Sequence, residues 1–581
     1  MANQANPSSP AARNGGSVVF DAVIVGAGFA GIYALQKLVD LGFSIRAFET
    51  GSGIGGTWFW NKYPGAHSDV ESLEYSYSFS DALQQEWTWS KRYAPQAEIL
   101  KYINHVADRF DLRKFIDFNT RVVSTVLDEQ SNLWVIKTST GETVKARYCI
   151  MASGNLSTYR VPEFPGLDRF KGEWYHSSRW PEGGVDVSGK RVGVIGTGST
   201  GIQIVPVVAQ SAGHLYVFQR SPNFCLPAQN APLDADIQHR YKAVYPEKRQ
   251  AARESVFGLA GFANPTRSAL DVSPEERTRQ YEKMWEHGSN QAFLTCFTDL
   301  LTSQESNDTA AEFVRGKIRA IVEDPKTGEL LCPKDHPIGA RRLCVGTDYY
   351  ETFNRPNVTL VDVRSAPIEE ITANGIRTLD AEYELDTIVF ATGFDAMTGA
   401  LREIDIRGRD GLALKDKWNY GPTTYLGLMV TGFPNFFIIT GPGSPSVKSN
   451  MVFSIEQHVD WIADCIEHLD ERNIASIEPA QESESQWVGH VNEVAMRTLY
   501  PRAESWYMGS NVPGKPRVFM PYVGGIPAYR KICDDVAADG YRGFVLAPAM
   551  LTGTPKDARD LARVSRAALG SSGSARRHID T

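Results

Sequence analysis

Two glycine-rich segments have the spacing of loops that hold the pyrophosphate of a dinucleotide. They are Gly26-x-Gly28-x-x-Gly31 and Gly196-x-Gly198-x-x-Gly201, the second with Thr197 and Ser199 inside it. Each follows an apolar run and precedes a helical pattern, so the free N–H groups of a helix N-terminus can meet the phosphates. The two segments therefore predict two dinucleotide sites in one chain.

The residue that ends the next strand distinguishes the two sites. In the first site it is Glu49, an acid that can bind both hydroxyls of an adenosine ribose. The equivalent residue in the second site is Gln219, followed by Arg220 and Ser221. Because an acid there would repel a 2′-phosphate that Arg can bind bidentately, we expect FAD or NAD in the first site and NADP in the second. Two nicotinamides could at best exchange a hydride, so a flavin is the favoured first ligand.

Length, composition and charge limit the class of protein. The chain has 581 residues, of which 42% are hydrophobic and 22% charged, as in soluble globular proteins of about two or three domains. The net charge of -8 argues against nucleic acid as a partner. No apolar run approaches the ~18 residues that cross a bilayer. Seven cysteines without a CxxC pair favour a cytoplasmic protein with reduced thiols and no metal site.

The elements that must position these loops predict an α/β fold with two Rossmann-like dinucleotide-binding domains. The FAD domain is expected to be discontinuous, over residues 18–155 and 390–550, and the NADP domain to span 156–389. A helical insertion is expected in the NADP domain at about 225–335.

Local signals refine this organisation. Within the helical insertion, the segment 273–276 has a helix start, with Ser as N-cap followed by Pro and Glu. His287 and Gly288 have the pattern of its end. Residues 1–17 are expected to form a disordered N-terminal tail, and residues 551–581 a C-terminal tail.

The connector between the two sites carries a spaced pattern that is too irregular for a helix and too polar for a buried strand. It reads Phe170-x-Gly172-x-x-x-His176-x-x-x-Trp180-Pro181. With its flanks it resembles the fingerprint of type I Baeyer–Villiger monooxygenases, especially their steroid-ketone members. The resemblance extends from about residue 18 to about residue 547. It implies an FAD- and NADPH-dependent enzyme that converts ketones into esters or lactones through a C4a-peroxyflavin, with sulfoxidation as a further activity.

The resemblance also implies roles for individual residues. Arg342 would be the catalytic cation beside the flavin, and Asp69 the acid that orients it. An Arg side chain suits that role because its pKa, above ~12, prevents it from donating a proton. The alternatives are that Arg342 is a surface charge and that Asp69 caps a helix beginning at Val70. His176 resembles a conformational coupler in the linker, and we favour that role over that of a catalytic base.

Further residues are implied at each ligand. At FAD these are Gly56, Thr57, Trp58, Phe59, Trp60, Asp69, Tyr75 and Met451. At NADP these are Arg220, Ser221, Arg341, Arg342 and Trp506. Arg341 stands where relatives usually carry Lys, a change that keeps the charge. At the substrate these are Asn155, Ser446, Val447, Lys448 and Met451.

Lys448 departs from the apolar residue of close relatives. An inward amine would disfavour bulky apolar ketones or favour ketones with an acidic group, whereas a snorkelling amine would reach solvent. The expected partners are a small ketone and O2, without nucleic acid or membrane, and the expected state is a monomer or weak oligomer.

Three other functions compete with this interpretation. An N- or S-oxygenating flavin monooxygenase shares both glycine loops, but its linker tends not to end in Trp-Pro and it lacks the Arg partner of Asp69. A disulfide reductase is disfavoured because the chain has no CxxC. A nucleotide-sensing regulator would bind FAD without ketone-stimulated oxidation of NADPH.

Overall fold

The computed structural model describes residues 18–261 and 265–548, so the predictions for residues 1–17 and 551–581 lie outside the described residues. The strands are β1 (Val19–Val25), β2 (Ile45–Phe48), β3 (Ile116–Asp117), β4 (Val122–Asp128), β5 (Leu133–Thr138), β6 (Thr143–Met151), β7 (Glu173–His176), β8 (Arg191–Ile195), β9 (His214–Gln219), β10 (Cys225–Pro227), β11 (Cys344–Gly346), β12 (Val358–Asp362), β13 (Ile368–Thr372), β14 (Gly375–Thr378), β15 (Glu382–Glu384), β16 (Thr387–Phe390), β17 (Asp405–Arg407), β18 (Phe436–Ile438), β19 (Ile474–Pro479) and β20 (Phe544–Pro548).

The helices are α1 (Phe29–Asp40), α2 (Thr57–Trp60), α3 (Asp81–Glu86), α4 (Gln96–Arg109), α5 (Ser199–Val208), α6 (Ala235–Ala243), α7 (Tyr245–Glu254), α8 (Pro274–His287), α9 (Asn290–Leu294), α10 (Gln304–Ile321), α11 (Pro325–Leu331), α12 (Gly399–Glu403), α13 (Leu414–Lys417), α14 (Met451–Glu471), α15 (Gln481–Met496) and α16 (Ile526–Ala538). Of the described helices, none combines the length and the apolar character needed to cross a membrane.

The first large sheet has the strand order β17-β4-β5-β6-β1-β2-β3, and β18 pairs with β6. Next to the central strand β6 lies β1, whose last five residues are buried and which runs parallel to both β2 and β6. A strand buried on both faces reads as a continuous apolar run, as this one does. Because β17 and β18 come from the last third of the chain, the chain leaves this sheet and returns to it.

The second large sheet has the order β12-β9-β8-β16-β7, with every pair parallel. The connector between the dinucleotide loops contributes β7 at its edge, where Glu173 and Trp174 are exposed and His176 is buried. An edge strand tolerates polar and exposed positions, which explains a pattern that fits neither a helix nor a buried strand.

Helices α6 to α11 lie between β10 and β11, which pair with each other. The helix start predicted at Ser273 is confirmed, because its hydroxyl accepts the Glu276 N–H at 3.2 Å. The predicted end is also confirmed: α8 stops at Gly288, whose φ of 71° lies in the left-handed region. Helices α8 to α11 share the apolar core of the second large sheet. Helices α6 and α7 instead contact the first half of the molecule, where Gln238 bonds to the Trp89 backbone and α7 contacts α16.

Candidate active site and coenzyme sites

The first glycine loop packs α1 tightly on β1 and leaves the helix N-terminus open. A Cβ at Gly31 would lie 1.9 Å from the Gly26 carbonyl oxygen, so no larger residue fits that crossing. Gly28 is the N-cap of α1 and provides no side-chain cap. A Cβ added at Gly28 would lie 3.3 Å from the Cα of Gly56, so two segments of backbone without side chains face each other. Uncapped N–H groups beside bare backbone suit a pyrophosphate.

Glu49 stands directly after β2 and is buried. Its carboxylate accepts the N–H of Ala27 at 2.8 Å and that of Gly51 at 2.7 Å. Burial raises the pKa of Glu49 above its ordinary value, although these backbone donors oppose the rise. The acid is therefore held rigidly at the end of the strand where an adenosine ribose is expected.

The aromatic turn α2 follows this loop and contacts the segment after Asp69. The indole Nε1 of Trp58 donates to the Tyr75 hydroxyl at 3.2 Å, and the two rings meet edge to face. Phe59 covers Gly51, where a Cβ would lie 2.8 Å from its ring. The guanidinium of Arg179, from the connector, lies 4.2 Å from the Trp60 ring centroid. The turn thus joins the first loop to the connector.

The second glycine loop repeats the first but is more open. A Cβ at Gly201 would lie 2.1 Å from the Gly196 carbonyl oxygen, whereas nothing lies within 4 Å of one at Gly198. Gly198 is the N-cap of α5, again without a side-chain cap. The Thr197 hydroxyl donates to the Ser221 carbonyl at 2.9 Å, and the Ser199 hydroxyl lies 3.1 Å from Cys344 Sγ.

An arginine cluster lies beyond the ends of β9 and β12. We define it as Arg220, Arg341 and Arg364 with Ser221 and Asp335. Arg364 donates to the Ser221 hydroxyl at 2.9 Å and to Asp335 at 2.5 Å, and Arg341 lies 3.5 Å from the same carboxylate oxygen. Arg220 is exposed, and its charge lowers the pKa of Arg341 after the larger effect of burial. Of the expected NADP residues, Arg220, Ser221 and Arg341 therefore lie near each other.

Sequence reasoning missed Arg364 and Asp335. Arg364 could have been found, because it follows β12, the parallel neighbour of β9, and Arg220 follows β9. The carboxyl ends of parallel strands meet at one edge of the sheet. Asp335 lies in a loop after α11 and had no comparable signal.

Arg342 and Asp69 form a bidentate pair. The Arg342 Nε and Nη2 donate to the two Asp69 oxygens, each at 2.5 Å, and Nη1 donates to the Val447 carbonyl at 3.2 Å. Burial opposes both charges, yet Asp69 raises the pKa of Arg342, and Arg342 lowers that of Asp69. The helix-cap alternative for Asp69 is wrong, because no helix begins at Val70.

Adjacent arginines therefore face different sites. Arg341 donates its Nε–H to the Glu504 carbonyl at 2.9 Å and belongs to the arginine cluster. Arg342 turns to Asp69, and both charges act on Tyr75, the hydrogen-bond partner of Trp58 in the aromatic turn. Trp506, two residues after Glu504, lies against Tyr507 with a centroid separation of 4.3 Å. Nothing in the spacing of two neighbouring arginines predicts this division.

The expected substrate residues lie on a 3₁₀ turn, Ser446–Lys448, and on the strand-end loop opposite it. Asn155 donates its amide N–H to the Ser446 hydroxyl at 2.6 Å. Lys448 points inward: its Nζ lies 4.0 Å from the ring centroid of Tyr500 and 4.6 Å from that of Tyr507. The snorkelling alternative for Lys448 is therefore wrong. Met451 follows as the first residue of α14 and packs against the same apolar cluster.

The connector is packed against both halves of the molecule. Gly172 lies at a bend, and a Cβ there would lie 2.4 Å from the Asp386 carbonyl oxygen and 2.6 Å from the Phe170 ring. His176 Nδ1 lies 2.8 Å from the Ser178 hydroxyl, and its Nε2 lies 3.5 Å from that of Thr392. Burial lowers the pKa of His176 to about 4, with Arg179 adding to the effect. Trp180 is buried against Tyr175.

The chain is similar to known proteins over nearly its whole length. Residues 21–248 match the family model described as FMO-like, flavin-binding monooxygenase-like. A Baeyer–Villiger monooxygenase of Pseudooceanicola batsensis is 46% identical over 529 residues, covering 90% of this chain and 96% of the relative. The chain belongs to the Baeyer–Villiger monooxygenases.

Solved structures of relatives agree with this assignment. An oxidized steroid monooxygenase bound to NADP is 52% identical with a TM-score of 0.88, and the match covers 91% of this chain and 100% of that one. The complex of OTEMO with FAD and NADP is 43% identical with a TM-score of 0.88, over 91% of this chain and 99% of that one. The predicted family, α/β fold class, and FAD and NADP cofactors are confirmed, and ketone oxygenation is favoured over N- or S-oxygenation.

The residues of this Baeyer–Villiger monooxygenase fit both cofactors. Two helices present uncapped N-termini over bare glycine backbone, one beside a buried acid and the other beside an arginine cluster. An acid suits a ribose diol and arginines suit a 2′-phosphate, so the flavin nucleotide fits the first loop and NADP the second. Residues 18–261 and 265–548 contain no group of three or more His, Cys, Asp or Glu side chains that could hold a metal ion.

Proposed function

We propose that the protein uses NADPH and O2 to insert one oxygen atom beside the carbonyl of a small ketone, with Arg342 and Asp69 as the catalytic pair. FAD, when bound, supplies the hydride acceptor and the reaction of reduced flavin with O2. The product is an ester, or a lactone from a cyclic ketone, and thioether sulfoxidation is a further expected activity.

The observation that carries the proposal is the bidentate contact of Arg342 with Asp69, at 2.5 Å for both oxygens. Two parallel hydrogen bonds fix the plane of the guanidinium, which an isolated Arg would not maintain. Because Asp69 raises the pKa of Arg342, the cation persists at any working pH. Arg342 then stabilises the negative charge that develops on the carbonyl oxygen and cannot donate a proton to it.

The remaining roles follow the same geometry. Gly26, Gly28, Gly31 and Glu49 hold FAD, with Gly56, Tyr75, Met451 and the aromatic turn Thr57–Trp60 beside the flavin. Gly196, Gly198, Gly201 and the arginine cluster hold NADP, with Thr197, Ser199 and Trp506. His176 is a positioning residue in the linker, since its ring contacts Ser178, Tyr159 and Thr392 rather than solvent.

The domain limits proposed for these roles are residues 18–155 and 390–550 for FAD and 156–389 for NADP. The separate sheets support this division, since β17 and β18 join the first and β16 the second. A cytoplasmic location is supported by seven free thiols. A monomer or weak oligomer is the expected state.

The test is product analysis with isotopically labelled O2. The FAD-loaded protein receives NADPH and a panel of cyclic, aryl and steroid ketones. We expect an ester or lactone that contains one labelled oxygen atom, and NADPH oxidation that accelerates with ketone. N-oxides or sulfoxides without any ester would favour the N- or S-oxygenating alternative, and ketone-independent NADPH oxidation without product would contradict the proposal.

A further inference from the structure

Lys448 carries a partly buried amine that has no acidic partner in the part of the chain that the structure describes. Its amine forms no ion pair with any carboxylate of residues 18–261 and 265–548, and it lies over the rings of Tyr500 and Tyr507. A cation over an aromatic face gains about 0.5–2 kcal/mol, which does not replace the hydration that burial removes.

Other lysines with little exposed surface do have polar partners within the protein. Lys417 pairs with Glu484 at 2.8 Å, and Lys515 pairs with Asp395 at 2.5 Å. Lys242 donates to the Gln85 carbonyl at 2.8 Å. Buried charges in proteins are normally paired or hydrogen-bonded. The amine of Lys448 departs from that rule. We therefore expect its polar partner to be a bound ligand.

The charged side chain that acts on Lys448, among residues 18–261 and 265–548, is a second cation. Arg342 is the charged side chain that acts most on Lys448, and the effect is repulsive: burial and then Arg342 lower the pKa of Lys448 well below its ordinary value. Asp69, the acid that pairs with Arg342, already accepts from Arg342 with both oxygens. An anion beside Lys448 would therefore gain a charge-assisted hydrogen bond without displacing any protein contact.

The amine also lies beside the expected point of reaction. Lys448 is the neighbour of Val447, whose carbonyl accepts Arg342 Nη1, and Ser446 on the same turn is bonded to Asn155. Tyr507, whose ring lies under the amine, is also close to Arg342. Burial raises the pKa of Tyr507 to about 12, and the charge of Arg342 opposes that rise. A ligand that puts its carbonyl at Arg342 can therefore extend a second group toward Lys448.

We propose that the substrate pocket takes ketones that carry a carboxylate, with Lys448 as the residue that binds that carboxylate. This inference rests on the proposed ketone oxygenation and names its substrate class. The carbonyl lies at Arg342, whose charge is already balanced by Asp69, and the carboxylate lies at Lys448. One substrate molecule is therefore held at two points.

The test compares 4-oxocyclohexanecarboxylate with its neutral isostere 4-oxocyclohexanecarboxamide, in the wild type and in Lys448→Met, which keeps the length of the side chain. For the wild type we expect kcat/KM for lactone formation to be about tenfold higher for the carboxylate, the factor of one charge-assisted contact. In Lys448→Met that preference should disappear, so that the ratio of kcat/KM for the carboxylate to kcat/KM for the carboxamide falls to about one. Lys448→Arg, which restores a cation, should recover the preference.

A second measurement is independent of turnover. Cyclohexanecarboxylate and cyclohexanecarboxamide, which have no ketone, are titrated into the oxidised holoenzyme with NADP+ while flavin absorbance is followed. The wild type should bind the carboxylate about tenfold more tightly than the carboxamide, and in Lys448→Met the carboxylate should lose that advantage. Equal affinity of the carboxylate for both proteins would overturn the inference.

The two measurements separate this inference from the proposed function. Lactone from both ketones at equal kcat/KM would overturn the carboxylate site and leave ketone oxygenation intact. Absence of lactone from either ketone would count against ketone oxygenation, and the titration would still decide whether Lys448 binds a carboxylate.

Discussion

Arg341 and Arg342 are neighbours in sequence but belong to two different arrangements of charge. Arg342 has one acidic partner, Asp69, and meets it through two parallel hydrogen bonds. Arg341 shares one carboxylate, Asp335, with Arg364, while Arg220 lies nearby without an acid of its own among the described residues. The first arrangement is balanced one to one, and the second has more cations than acids.

This difference indicates what each arrangement is suited to bind. A balanced pair fixes the position of its cation and offers little net attraction, so it can respond to charge that develops during a reaction. An excess of arginines attracts a permanent anion such as a phosphate, for which their planar donors are well shaped. The other acid near Arg341, Glu504, does not remove the excess because it pairs with Arg517.

Among the substitutions that distinguish the two arrangements, Arg342→Ala should have the largest effect on ester formation. Removing one preorganised cation from the reacting carbonyl should lower ester formation about a hundredfold to a thousandfold, while flavin reduction by NADPH changes little. Stopped-flow reduction and product yield measure the two steps separately. The control is Arg341→Ala, which should give the opposite result: weaker NADPH binding and normal ester yield at saturating NADPH. Normal ester yield from Arg342→Ala would remove that residue from the mechanism.

Asp69→Asn should destabilise the protein in a pH-dependent manner. The pKa of Asp69 is depressed in the folded protein, so its contribution to stability is present above the unfolded value of 3.8 and is lost as pH falls through the folded pKa. At pH 7 we expect the free energy of unfolding to fall by about 2–3 kcal/mol, because Arg342 keeps its charge without a partner. The difference from the wild type should persist down to about pH 5 and shrink below about pH 4.

Chemical denaturation at several pH values measures this difference. The control is Asp117→Asn, since Asp117 pairs with Arg46 at 2.5 Å but is more exposed, and we expect a cost of less than about 1 kcal/mol there. A difference for Asp69→Asn that grows as pH falls would contradict the depressed pKa.

Arg364→Ala tests whether the excess of arginines serves the 2′-phosphate. NADPH should bind about tenfold more weakly because one charge-assisted contact is lost, whereas NADH binding should not change. Arg377 provides a matched control, since it is an exposed arginine of the small antiparallel sheet that pairs with Glu370 and Glu382. Equal losses for NADPH and NADH would show that Arg364 acts through the fold rather than through the phosphate.

The sequence predicted the parts of the site that depend on local rules. Gly26, Gly31 and Glu49 occupy their expected places because a strand–turn–helix unit allows few alternatives. The helix from Ser273 to Gly288 was equally readable, since its cap and its end are both encoded within a few residues. The resemblance to a family was needed to choose Arg342 and Asp69, which lie far apart in sequence.

Residues that depend on tertiary contacts were less predictable. The connector contains an edge strand, and its place beside β16 is determined by a partner more than two hundred residues away in the chain. The direction of Lys448 required Tyr500 and Tyr507 to be placed first. Asp335 was missed because an acid among arginines that are expected to bind a phosphate contradicts the charge rule that identified Arg220.

Asp335 provides the test with the smallest expected effect on NADPH binding and the most specific one. Asp335 accepts from Arg364 and lies near Arg341 and the Ser221 hydroxyl, so a 2′-phosphate must compete with it for the same donors. Asp335→Asn keeps the size of the side chain and removes its charge. We expect NADPH to bind about threefold more tightly and NADH to bind unchanged, as measured by equilibrium titration. Weaker NADPH binding would mean that the carboxylate orients the arginines instead of competing for them. In that case Asp335 would orient its arginines as Asp69 orients Arg342. The two sites would then differ only in how exposed their side chains are to solvent.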